Sequence, residues 1–145
     1  MIVDTTYLLP LARIDIETDL LWALAKKKIL MNRLSFEEIQ INSISIFELQ
    51  AKAAKLKVSP EYVLAAIEEI SKSFTVEPYY SPNVVRRAFE LKSVLSDYID
   101  CIIVASAIEL KTDLITEDSR IRKSRKRLKE KYGIEILTFR EILKA

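Results

Sequence analysis

The sequence predicts an α/β domain: a mostly parallel sheet of about five strands with helices on both faces, folded as a single domain over residues 1–145. Three observations predict it. Short apolar runs rich in β-branched residues alternate with longer stretches of helical spacing, the pattern of strands joined by helices. Each strand-to-strand stretch is long enough for the helical crossover that parallel neighbours require. Half of the 145 residues are hydrophobic, enough for a real core at the size of one ordinary domain. No internal repeat or linker interrupts the alternation.

The first strand is "MIVD", and Thr5 and Thr6 suit the start of a helix after it. A second helix covers "TDLLWALAKKK", with Leu20, Leu21, Leu24 and Trp22 on the buried side and lysines at the end. "EIQIN" is the second strand; Ser43 or Ser45 then caps a helix through "IFELQAKAAKLK", where Ile46, Leu49 and Ala53 share a face. Ser59-Pro60 opens the next helix, because proline at the first helical position gives up no needed hydrogen bond. "FTVEP" is a strand, and Ser81-Pro82 repeats the device before "NVVRRAFELKSV". Ser96 or Asp97 opens a helix through "YIDCIIVASAIELK", and "DLIT" is the fourth strand. A basic helix "SRIRKSRKRLKEKY" stops at Gly133, "IEIL" is the fifth strand, and Thr138 with Glu141 forms a capping box for a terminal helix "REILKA".

Composition narrows the chemistry. With no histidine and one cysteine, Cys101, the chain has no histidine base, no His-ligated metal and no internal disulfide. Cys101 itself reads as a small buried residue. A single glycine, Gly133, rules out the Gly-rich loops that cradle phosphates. No apolar run reaches the length of a membrane span and no leader is evident, so a soluble cytoplasmic protein without membrane contact is expected. Catalysis, if any, has carboxylates, hydroxyls, lysines or a hard metal to work with.

Against that background Asp4, Glu48, Asp100 and Asp118 stand out, since each interrupts or closes an apolar run that is directed to the core. A buried carboxylate without a partner is costly, and several together call for a shared counter-charge, most simply a divalent cation. Ligands of parallel sheets bind beyond the carboxyl ends of the strands. Asp4 closes the first strand and Asp118 follows the fourth, while Glu48 and Asp100 lie near the N-termini of helices that open at the same end. The four are therefore expected in one pocket. Each also has an ordinary structural use: Asp4 and Asp118 as helix caps, Glu48 and Asp100 as first-turn acids facing a helix dipole.

The same residues resemble the PIN-domain ribonucleases, in particular the VapC-like toxins of type II toxin–antitoxin systems, over nearly the whole chain. "MIVDTTYLL" is similar to that family's opening signature, "SISIFELQAKAAKL" to its second, and "DYIDCIIVASAIELKTDLITEDSRI" to its third and fourth. The likeness implies a PIN-like three-layer sandwich, with Asp4, Glu48, Asp100 and Asp118 as metal ligands and catalytic acids. It places Thr5, Thr6 and Thr116 in supporting roles around them. Asp97, three residues before Asp100 on one helix, and Glu117, beside Asp118, compete for the third and fourth positions; "DCIIVASA" favours Asp100.

Oxygen ligands of this kind suit Mg²⁺ or Mn²⁺. The implied activity is an endoribonuclease hydrolysing RNA phosphodiester bonds, with an RNA substrate, a cognate antitoxin protein and a homodimer as further implications. The alternative is a non-catalytic RNA- or protein-binding domain of the same fold. An aspartyl-phosphate phosphotransferase is less suited, because Thr6 stands where its second aspartate belongs. Arg120, Arg122, Lys123, Arg125 and Lys126 begin a basic run immediately after the fourth acid, where they can neutralise RNA phosphates. For Trp22, Tyr79 and Tyr80, packing in the core or an interface is expected ahead of base stacking.

Overall fold

The structure, a computed structural model, describes residues 1–26 and 34–143. Five short strands, β1 (Ile2–Val3), β2 (Gln40–Asn42), β3 (Thr75–Glu77), β4 (Leu114–Ile115) and β5 (Ile136–Leu137), form one sheet in the order β3-β2-β1-β4-β5. Every pairing is parallel, with Ile2 opposite both Gln40 and Leu114. The connections are α1 (Leu20–Lys26), α2 (Ser43–Lys55), α3 (Pro60–Ser73), α4 (Pro82–Leu91), α5 (Tyr98–Glu109), α6 (Ser119–Lys123) and α7 (Arg125–Tyr132), with α8 (Phe139–Leu143) after β5.

Strand residues alternate between two cores, as a period of two demands. Val3, Ile41 and Ile115 face the layer made by the segment after β1 together with α1, α2, α3 and α8. Ile2, Leu114 and Ile136 face α4, α5, α6 and α7. The result is an α/β sandwich of three layers. In α5 every residue from Asp100 to Ala107 is buried, so the middle of this helix, apolar all round, lies inside the second layer. That placement carries the Asp100 carboxylate into the protein.

Several local expectations are corrected. The segment after β1, Thr5–Ala12, is a 3-10 helix, in keeping with Pro10, which lacks the N–H that an α-helix would use there. Asn42, not Ser43 or Ser45, caps α2: its Oδ1 accepts from Ile44 N at 2.9 Å while its Nδ2 donates to Ser106 Oγ at 2.7 Å. Asp97, not Ser96, caps α5. Trp22 is 57% exposed, because Leu20, Leu21 and Leu24 take the inward side of α1 and Trp22 lies two positions from Leu20, on the opposite side. Tyr79 and Tyr80 are likewise exposed and pack edge-on against each other.

The basic helix is broken in two at Ser124, whose N–H closes a tight bond to Ile121 O at 3.0 Å before the chain restarts as α7. Serine suits such a terminus better than a helix interior. Gly133 ends α7 with φ +74°, and the Thr138–Glu141 capping box forms as its sequence suggests. The predicted second and last helices extend to Lys27, Lys28, Lys144 and Ala145, which lie outside the described residues. No described helix is long and apolar enough to cross a membrane.

Candidate active site

The sheet order reverses between β1 and β4, and in parallel sheets that reversal opens a crevice at the carboxyl ends of the strands. Asp4 follows β1 there, and Thr116, Glu117 and Asp118 follow β4. Glu48, in the second turn of α2, and Asp100, in the first turn of α5, reach the same place. A cavity of about 550 Å³ is lined by Asp4, Glu48, Asp100 and Asp118, with Thr5 and Thr6 beside them. Phe47, Lys52 and Lys55 of α2 form one wall.

Local hydrogen bonds hold the acids in position. Asp4 Oδ1 accepts from Thr5 N at 2.7 Å and its Oδ2 from the buried Thr116 hydroxyl at 2.5 Å. The Thr116 oxygen in turn accepts from Asp118 N at 3.0 Å, tying the first and fourth acids through one side chain. Thr5 Oγ1 donates to Glu48 Oε1 at 2.6 Å. Asp118 caps α6, its Oδ1 accepting from Arg120 N at 2.8 Å and Ile121 N at 3.2 Å. Thr6 lines the cavity.

The electrostatics are those of acids short of counter-charge. Burial pushes the Asp4 carboxyl up, against the Thr116 and Thr5 hydrogen bonds. Burial also raises Glu48, with Asp4, Asp97 and Asp118 adding repulsion. Asp100 is raised to about 7, first by burial and next by Asp118, with Arg120 opposing. Asp118 alone is lowered: burial opposes ionisation, but its hydrogen bonds from Arg120 and the α6 backbone outweigh it. Arg120 is the cation at the centre, its Nη2 3.1 Å from Asp118 Oδ2 and 3.3 Å from Asp100 Oδ2, its Nη1 3.7 Å from Asp97 Oδ2.

The structure thus separates residues that the sequence left paired. Asp97 is occupied as the cap of α5, whereas Asp100 lines the cavity. Glu117 lines the cavity as Asp118 does, but its Oε1 accepts from the Tyr7 hydroxyl and from Phe139 N, both at 2.9 Å, so it also fastens α8 to the segment after β1. Arg120 is the correction among the basic residues: it reaches back to the acids, because two positions after the Asp118 cap its side chain returns over the mouth of the cavity. Arg122, Lys123 and Arg125 line a separate recess together with Arg140, and Lys126 lies beyond it. Lys52 and Lys55 were missed, although their spacing of four and seven from Glu48 puts all three on one side of α2. No local pattern marked Arg140.

All the cavity's acidic donors are hard oxygens, and Asp4, Glu48 and Asp100 are driven toward protonation, first by burial and then by the neighbouring acids. That donor set fits Mg²⁺ or Mn²⁺. Among the described residues no three acids are drawn together into a ready-made ion cage. Mg²⁺ does not need one, since it keeps several waters and binds through one or two carboxylates.

Comparison with known proteins agrees with the architecture. The chain is similar in fold to FitAcB from Neisseria gonorrhoeae, at 16% identity and a TM-score of 0.63, covering 95% of this chain and 96% of that one. It is also similar to a toxin–antitoxin complex from Klebsiella pneumoniae, at 19% identity and a TM-score of 0.58, covering 92% and 93%. No curated protein matches the sequence significantly. The sequence profile of the PIN domain matches residues 1–127, nearly the whole α/β unit with all four acids, and the chain belongs to the PIN domain family.

Proposed function

We propose that this protein is a metal-dependent endoribonuclease that hydrolyses RNA phosphodiester bonds, and that it serves as the toxin of a toxin–antitoxin pair, as a homodimer restrained by a cognate antitoxin. PIN domains are generally nucleases and generally depend on divalent metals. The observation that carries the reading is that four elements far apart in the chain bring acids to one cavity at the sheet's reversal point.

In this reading Asp4, Glu48, Asp100 and Asp118 would hold Mg²⁺ or Mn²⁺, which when bound supplies Lewis-acid polarisation of the phosphate and a nucleophilic water at neutral pH. The chain's own residues do the rest. Thr116 and the Thr5 amide fix both oxygens of Asp4, and the Thr5 hydroxyl fixes Glu48, so that neither acid has to be reoriented during reaction. Lys52 and Lys55 on the α2 wall neutralise substrate phosphate. Arg120 bridges Asp100 and Asp118, which sets a guanidinium beside the acids where a substrate phosphate can meet it.

A second reading, a non-catalytic RNA- or protein-binding domain, is favoured by one observation: Asp97 and Asp118 cap helices and share Arg120, as purely structural acids would. Incubating the purified chain with labelled single-stranded RNA and Mn²⁺ separates the two. Cleavage is expected, abolished by EDTA and reduced more than about 100-fold in Asp4→Asn and Asp100→Asn. Cleavage that survives both substitutions, or no cleavage with Mn²⁺, refutes the nuclease reading.

A further inference from the structure

A second recess, of about 520 Å³, borders α6 on another side. Ser119, Arg122 and Lys123, three and four positions apart, face it from α6, whereas Asp118 and Arg120 face the acidic cavity. Arg125 from the start of α7 and Arg140 from α8 complete its charged lining. Four cations therefore meet one anion, Glu141, and that anion is already engaged: Oε1 accepts from Arg125 Nη1 at 2.8 Å and Oε2 from Thr138 N at 2.9 Å. Among the described residues, Arg122, Lys123 and Arg140 have no carboxylate within ion-pairing distance. Three like charges gathered from two separate elements without a partner repel one another, and an anionic ligand relieves that repulsion.

We propose that this recess is a phosphate subsite for the backbone of a nucleic-acid strand, placed to hold a phosphate near the scissile one. The proposal rests on the nuclease reading of the acidic cavity and deepens it by assigning how the strand is held. The two sites share α6. From Asp118 to Lys123 the chain advances about 7.5 Å at 1.5 Å per residue, so the two sites lie within a few nucleotides of each other along a strand. A strand whose bond lies at the carboxylates thus presents its next phosphates to Arg122 and Arg140, whose planar forks match phosphate oxygens in pairs. The next recess continues the track with Arg125, Lys126 and Lys129. An acidic protein segment would meet the same charges, but sharing one short helix with the acidic cavity favours a strand that runs through both.

The experiment measures anisotropy of a fluorescein-labelled oligouridylate bound to the whole chain in EDTA, titrated between about 50 and 200 mM salt. Arg122→Gln/Arg140→Gln is expected to weaken binding about tenfold and to flatten the slope of log K against log salt by about 1.4, two contacts at about 0.7 each. Arg122→Lys/Arg140→Lys is expected to keep most of the slope, because the charge remains. Unchanged affinity and slope in the glutamine variant overturn the subsite. Tighter binding of a polyglutamate peptide than of oligouridylate, through the same two arginines, also overturns it, by assigning the recess to a protein partner. Mn²⁺-dependent cleavage by the unaltered chain is scored separately. Intact cleavage with arginine-independent binding removes the subsite alone, whereas arginine-dependent binding without cleavage removes the nuclease reading alone.

Discussion

Replacing Asp100 by asparagine should make the ion-free protein more stable while destroying its activity. Asp100 is 8% exposed, carried on the buried α5 and facing Asp118, Asp97 and Asp4. Its carboxyl is raised from 3.8 to about 7, so between those values the folded state holds a proton that the unfolded state has lost. Stability contributed by protonated Asp100 is therefore fully present below about pH 4 and lost as pH rises through 7. At about 1.36 kcal/mol per unit the shift corresponds to about 4 kcal/mol, which solvent at the cavity mouth reduces to about 2 kcal/mol. Asparagine carries no charge to repel. With an unfolding entropy near 2.1 cal/mol/K per residue, 2 kcal/mol corresponds to a rise in Tm of about 6 °C for a chain of this length. Thermal melts by circular dichroism in EDTA test this: Asp100→Asn should melt about 6 °C above the unaltered protein at pH 8 and within about a degree of it at pH 4. Equal stabilisation at both pH values, or a lower Tm at pH 8, would refute the reasoning. The gain in stability coupled to lost cleavage is the trade-off expected where function strains a site.

Three further outcomes follow from the same geometry. Thr116→Val removes the buried donor to Asp4 and the partly buried acceptor for Asp118 N, and should lower stability by about 2 kcal/mol, whereas Thr116→Ser, which keeps the hydroxyl, should lower it by under half as much; a loss in Thr116→Ser as large as in Thr116→Val in denaturant melts would refute a dominant role for the hydroxyl. Arg120→Gln removes the cation that competes with an ion for Asp100 and Asp118, so Mn²⁺ should bind on the order of tenfold tighter, as expected when a like charge is taken away from beside a divalent ion's ligands. Isothermal titration across pH 6 to 8 reads this directly, and weaker binding in the variant would show that Arg120 instead supports the site. Because Asp4, Glu48 and Asp100 are all raised, ion affinity in the unaltered protein should climb with pH through about 7 in the same titration.

Local chemistry was legible in the order of residues. The alternation of strands and helices, the Ser-Pro helix starts at Pro60 and Pro82, the Gly133 stop and the Thr138–Glu141 box all depend on neighbours within a few positions, and all appear in the structure. The gathering of four acids at one rim was legible too, because parallel topology sends every strand end and helix start to the same side. What tertiary structure alone decided was how the side chains are shared out. Thr116 meets Asp4 across 112 positions and Glu117 meets Tyr7 across 110, and no short-range pattern specifies such pairs. The basic run looked like one charged helix; the break at Ser124 and the turn of Arg120 toward the acids divided it between two cavities. Arg140 joined the second of these only because β5 lies beside β4 and sets α8 against α6 and α7. Sequence fixes which charges exist and which local element carries each; which charges neutralise one another depends on distances that only the packed chain defines.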